Sequence, residues 1–91
     1  DEGWRVARFD LQPAIDAAPV ANDDKRVMVA ACDVADYASV ERSVTAVRER
    51  FGKIDAVING AGIVANIASI AKMDPAKWAW ELGVNLSGPF H

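Results

Sequence analysis

The sequence predicts an α/β fold built on a parallel sheet, and two observations carry that expectation. The first is the run Ile54-Asp55-Ala56-Val57-Ile58-Asn59-Gly60-Ala61-Gly62, an apolar strand over Ala56, Val57 and Ile58 that ends in a turn almost without side chains. A continuous apolar run of this kind fits a strand covered on both faces by helices. Such sheets bind ligands beyond the carboxyl ends of their strands, and a turn with so little side chain lets a ligand lie against backbone. The second observation is the order of elements along the chain: strand, short crossover, strand, helix, strand, helix.

Each element has its own local reason. Trp4 to Phe9 alternates as a strand does, and Asp10 stands at its end. The crossover that follows carries Pro13 and Pro19 and finishes in Asn22-Asp23-Asp24, so its helix is short, from Pro13 to Ala18, with the proline in the first turn. Arg26 to Cys32 is a second apolar strand, closed by Asp33-Val34. Asp36 is placed to cap the next helix, because its carboxylate can accept from the free amides of the first turn. That helix runs to Phe51 with Val40, Val44, Val47 and Phe51 as its apolar stripe, and Gly52 supplies a left-handed stop. After the strand and turn of residues 54–62 comes a loop of small residues from Ile63 to Lys72. Asp74-Pro75 then opens another helix, with Met73 and Trp78 spaced as a hydrophobic staple. Gly83 and Pro89 weaken that helix, so a kink is expected around Val84-Asn85-Leu86.

Composition narrows the function. A 52% hydrophobic and 25% charged chain of 91 residues holds at most one domain. Ten Lys and Arg against 13 Asp and Glu leave a net charge of −3, which offers no basic surface for nucleic acid. No apolar run approaches the roughly 20 residues that span a bilayer, and the first residues lack the charged lead and apolar core of a signal peptide. The expectation is a cytoplasmic protein without membrane contact. Cys32, the single cysteine, sits in an apolar run and reads as a small buried hydrophobe. The chain opens on Asp1 and closes on His91 in what reads as the middle of an element, so residues 1–91 are expected to be part of one domain of a longer protein.

Four landmarks now stand in one order: Asp10 after a strand, Asp33-Val34 after the next, Asn59-Gly60-Ala61-Gly62 after the third, and Val84-Asn85-Leu86 in the following helix. Together they closely resemble the short-chain dehydrogenase/reductase family over nearly the whole chain. The resemblance implies a Rossmann-type doubly wound parallel sheet, here partial, lacking its first strand and its C-terminal half. It implies that Asp10 accepts from the adenosine ribose hydroxyls, favouring NAD over the 2′-phosphorylated cofactor. A carboxylate repels a phosphate, and Leu11 beside it brings no positive charge to offset that repulsion. Asp33 resembles the residue that binds the adenine amino group, with the Val34 backbone beside the ring. Asn59, Ala61 and Gly62 match the family's Asn-Asn-Ala-Gly signature, and Gly60 departs from it by replacing the second Asn. Asn85 matches the Asn of the catalytic tetrad, which bends a helix and holds a water in the proton relay.

The tetrad's Ser, Tyr and Lys are absent, since Tyr37 is followed by Ala38-Ser39-Val40-Glu41 with no lysine four places on, and nothing reads as the glycine-rich pyrophosphate loop. The leading expectation is therefore a segment of an NAD-dependent oxidoreductase that moves a hydride between a secondary alcohol or ketone and the nicotinamide. By resemblance, the complete protein uses a Tyr as general acid/base with a Lys lowering its pKa. Asn85-Leu86-Ser87-Gly88-Pro89-Phe90 shares the look of 3-oxoacyl-carrier-protein reductases. Dimers or tetramers are usual in the family, so a homo-oligomer is expected. The alternative is a non-catalytic dinucleotide-binding regulatory or scaffold protein on the same fold, and a Tyr-x-x-x-Lys beyond His91 would decide between them.

Plainer uses exist for each residue. Asp10, Asp33 and Asp74 can serve as turn and cap formers, Asn59 to Gly62 as a tight turn, and Asn85 as a helix-kink residue. Tyr37, Cys32 and His91 are read as structural, and the tryptophans as packing. In the sheet order 3-2-1-4-5-6, the three strands of this chain would be the second, third and fourth, so a gap one strand wide is expected between two of them.

Overall fold

The computed structural model describes residues 3–17, 25–65 and 67–91. Strand β1 (Val6–Asp10) and strand β2 (Val27–Ala31) pair in parallel, from Val6 opposite Val27 to Asp10 opposite Ala31. Bonds from Val6 N–H to the Arg26 carbonyl and from Cys32 N–H to the Asp10 carbonyl, both 2.8 Å, close the two ends of the ladder. A parallel pair needs a crossover, and helix α1 (Gln12–Ala17) begins it. Ala18, the expected end of that helix, lies outside the described residues, as do Pro19 and Asn22-Asp23-Asp24.

Helix α2 (Tyr37–Phe51) starts and stops where the sequence requires. The Asp36 carboxylate accepts from Ala38 N–H, and Gly52, at φ 89°, donates its N–H to the Arg48 carbonyl. The buried face differs from the expected stripe of valines: Ser39, Ser43 and Val47 are buried, while Val40, Val44 and Phe51 are only partly covered. The reason is hydrogen bonding. Ser39 Oγ accepts from Asp33 N–H at 2.9 Å and Ser43 Oγ donates to the Ala31 carbonyl at 3.5 Å, so two hydroxyls face the end of β2 and complete its polar groups.

The strand expected over Ala56, Val57 and Ile58 does not form. Residues 53–65 carry no regular structure, and Val57 is 72% and Ile58 95% exposed. Among the described residues the sheet consists of β1 and β2 alone. A strand exists only through its neighbour's hydrogen bonds, and the neighbour that the sheet order calls for is the one this chain does not contain. The gap also shows in the dimensions. The Cα radius of gyration is 15.5 Å, against roughly 12 Å for a compact domain of this length. Among the described residues only Cys32, Val47 and Val84 are buried hydrophobics.

Helix α3 (Pro75–Leu82) is capped by Asp74, which accepts from Ala76 N–H at 2.9 Å, with Pro75 at its first position. The expected kink is a π turn over Gly83–Ser87, in which Gly88 N–H reaches back five residues to the Gly83 carbonyl. Helix α4 (Gly88–Phe90) continues from it. Pro89 has no N–H to give the Asn85 carbonyl, the bond that an unbroken α-helix would make there. Among the described residues, no helix is long and apolar enough to cross a membrane.

Candidate functional site

The parallel register places the ends of β1 and β2 at one edge of the sheet, so Asp10 and the Asp33-Val34 turn lie side by side in the fold. Asp10 is exposed, and its Oδ1 accepts from Leu11 N–H at 2.9 Å. Asp33 is exposed as well; its Oδ1 accepts from Ala35 N–H at 3.0 Å while its own N–H is held by Ser39 Oγ. Both carboxylates thus shape their own turns. An ionised carboxylate has room for several donors on its two oxygens, so a single backbone bond does not exhaust either group.

The second half of the site is the backbone after Asn59-Gly60-Ala61-Gly62, gripped by one helix. Asn85 Oδ1 accepts from Ile63 N–H and Asn85 Nδ2 donates to the Ile63 carbonyl, both at 2.8 Å. The side-chain amide is therefore paired with both backbone groups of one residue, as a neighbouring strand would pair with it. One turn earlier, Glu81 accepts from Ala65 N–H. Gly62 lies against the same amide, since a Cβ added there would stand 3.5 Å from Asn85 Oδ1. Asn59 and Ala61 are exposed in this stretch.

The helix also meets the turn at the edge of the sheet. A Cβ on Gly88 would lie 2.9 Å from Val34 Cγ2, and one on Gly83 would lie 3.4 Å from the Ala35 Cβ. His91, held in the helix by bonds from its N–H to the Ser87 and Gly88 carbonyls, places Nδ1 2.7 Å from the Val34 carbonyl. Tyr37 packs edge-on against the His91 ring, with centroids 5.6 Å apart. Asp33, Val34 and Asn85 are thus joined through one helix, with Asp10 beside them across the ladder.

Sequence reasoning missed Ser39, Glu81, Gly88 and His91. The spacing of Glu81 and Asn85, four residues apart on one helix, was the available signal for the grip on the loop.

Comparison with known proteins bears directly on this arrangement. The model of the family described as Enoyl-(Acyl carrier protein) reductase matches residues 1–91. A short chain dehydrogenase, pigC, of Monascus ruber is 39% identical over 89 residues, covering 92% of this chain and 29% of that protein. This chain belongs to the short-chain dehydrogenase/reductase family. A D-threitol dehydrogenase of Mycolicibacterium smegmatis is 40% identical over 93 residues, covering 98% of this chain and 35% of its own. Among solved structures, a short-chain dehydrogenase/reductase from Brucella melitensis, described as a glucose/ribitol dehydrogenase, superposes with a TM-score of 0.82 at 30% identity. It covers 97% of this chain and 38% of that one. The chain spans about a third of the length of these curated relatives. Its fold is accordingly a partial Rossmann-type sheet, and the pairing of β1 with β2 is the part of that sheet it completes by itself.

Proposed function

We propose that this chain supplies the adenosine half of the cofactor site in an NAD-dependent oxidoreductase that moves a hydride between a secondary alcohol or ketone and the nicotinamide. The observation that carries the reading is the exposed Asp10 carboxylate at the end of β1, next to Leu11 and beside the Asp33-Val34 turn. An acceptor-only group suits the paired hydroxyls of a ribose, while a 2′-phosphate would meet a like charge with no cation from Leu11 to offset it. Asp33, also acceptor-only, suits the amino group of adenine, and Val34 offers backbone beside the ring. Bound there, NAD would supply the hydride chemistry; the residues of this chain only hold and orient its adenosine end.

Asn85 enters this reading through its backbone. Its side-chain amide is committed to Ile63, so a relay water would be held at its carbonyl, where Pro89 brings no N–H. The amide itself fixes the loop after Asn59, Ala61 and Gly62, which would pack on the ribose. The relatives include a D-threitol dehydrogenase and a Leifsonia aquatica levodione reductase, in keeping with a substrate that interconverts between alcohol and carbonyl. A homo-oligomer, dimer or tetramer, is part of the same proposal, supported by the exposed Trp78, Leu82, Leu86 and Phe90 along the helix that carries Asn85.

The test is cofactor preference in the full-length protein. NAD is expected to give a higher kcat/KM than NADP, and Asp10→Ser to shrink that preference by about tenfold to a hundredfold, the weight of a hydrogen bond to a charged group. Asp10→Asn, which keeps an acceptor but drops the charge, should fall between. Preference for NADP in the unmodified protein would sink the assignment of Asp10.

A further inference from the structure

The sequence gives His91 no role beyond structure, yet its side chain bonds across from the Asn85 helix to the Asp33-Val34 turn. Its Nδ1 lies 2.7 Å from the Val34 carbonyl, the ring is partly covered, and Tyr37, the first residue of α2, packs edge-on against it. A carbonyl oxygen can only accept, so Nδ1 must carry the proton and donate. The donor is well anchored. Val84 and Gly88 are buried on this part of the helix, and Gly88 has no room for a side chain against Val34. From the other side the turn is fixed by the Ser39 hydroxyl on Asp33 N–H. The turn is therefore clamped by α2 on one side and by His91 on the other.

We infer that His91 is a positioning residue for adenine recognition: by donating from Nδ1 to the Val34 carbonyl, it sets the Val34–Ala35 peptide, whose N–H holds Asp33 Oδ1, and so the place of the Asp33 carboxylate and the Val34 backbone. This rests on the adenosine reading above and extends it to a residue that does not touch the cofactor. The fold gives the reason for such a device. The Asp33-Val34 turn is exposed at its carboxylate, and the bonds from Cys32 N–H to the Asp10 carbonyl and from Asp33 N–H to Ser39 Oγ hold its start, so without a further bond its Val34 end could shift. A bond to a separate helix removes that freedom, at a point one residue from the adenine contact.

The experiment measures binding of AMP, ADP-ribose and nicotinamide mononucleotide to the full-length protein and to its His91→Ala and His91→Asn variants by calorimetry. Asn places its Nδ2 close to where Nδ1 of histidine lies, so it can restore the donation. His91→Ala is expected to weaken AMP and ADP-ribose by about three- to tenfold, the weight of one hydrogen bond. Nicotinamide mononucleotide should stay within about twofold, and His91→Asn should recover most of the AMP affinity. Unchanged AMP affinity in a folded His91→Ala protein overturns the inference, and so does an equal loss in both variants. If His91→Ala does not fold, the nitrogen chemical shifts of His91 in the unmodified protein decide. A protonated Nδ1 whose signal moves on adding AMP supports the role; a ring protonated on Nε2 alone overturns it. Failure of the unmodified protein to bind AMP or ADP-ribose would instead remove the adenosine reading, and the role of His91 with it.

Discussion

Two apolar runs of similar character meet opposite fates in this molecule. Val27–Ala31 pairs with β1 and is largely half-buried, whereas Ala56-Val57-Ile58 stays unpaired, with Ile58 95% exposed. Their sequences do not explain the difference, since both are apolar and both end in a turn with a candidate binding residue. What separates them is the neighbour. Helix α2 closes its own hydrogen bonds and needs only a cap and a stop, both of which it has, but a strand borrows its bonds from elsewhere. The loop after the unpaired run is held by side chains instead, Asn85 on Ile63 and Glu81 on Ala65, so half of the site rests on a ladder and half on a helix.

The most severe way to break this contrast is to supply the missing neighbour. In the full-length protein, the amides of Ala56, Val57 and Ile58 should exchange with solvent roughly a thousandfold more slowly than in the isolated 91-residue chain, the protection a central strand gains over an open segment. The amides inside α2 should change less. Hydrogen exchange read by mass spectrometry measures both, and equal protection of residues 56–58 in the two proteins would mean that no strand fills the gap beside them.

A smaller effect is expected at the helix-held half. Asn85→Ala removes the partners of both the N–H and the carbonyl of Ile63, about 2 kcal/mol for two ordinary hydrogen bonds, which corresponds to about a thirtyfold lower kcat/KM if the loop geometry serves the reaction. Asn85→Asp keeps the acceptor for Ile63 N–H but sets a carboxylate against the Ile63 carbonyl, so it should recover little of that loss. Steady-state kinetics on both variants tests this, and a fully active Asn85→Asp protein would show that the donation to Ile63 is dispensable.

The same division decides how much of the molecule could be read from its residues. Caps and stops were legible, because Asp36, Gly52, Asp74 and Pro75 act on backbone within a few positions of themselves. The π turn was legible as a kink, since Gly83 and Pro89 both oppose a regular helix. The third strand was legible as a pattern but does not form, because the described residues hold no partner for it, whereas β1 and β2 have each other. The buried face of α2 was misjudged for a related reason: Ser39 and Ser43 are polar on paper, and only the end of β2, placed by the fold, turns their hydroxyls into core. Asp10 and Asp33 were visible as candidates from their places after strands, whereas His91 and Gly88 gain meaning only once the helix lies on Val34.

That last contact supplies the finest test, because two effects of opposite sign meet in one substitution. Gly88→Ala should stabilise a helix by up to about 1 kcal/mol through propensity alone. Its new Cβ, however, would stand 2.9 Å from Val34 Cγ2 and 3.2 Å from Val34 Cβ, and overpacking of this kind costs about 1–3 kcal/mol. Val34 cannot easily swing clear, because a β-branched side chain is restricted at χ1. The clash is therefore expected to win, with a net loss of about 1 kcal/mol and a fall in Tm of roughly 2–4 °C in the full-length protein. Combining it with Val34→Ala removes Cγ2, the nearer of the two atoms, and leaves only the Cβ, so the double variant should melt higher than the sum of the single effects predicts, by a coupling of about 1 kcal/mol. A Gly88→Ala protein that melts higher than the unmodified one would show that the helix stands further from the Asp33-Val34 turn than a bond from His91 to Val34 allows.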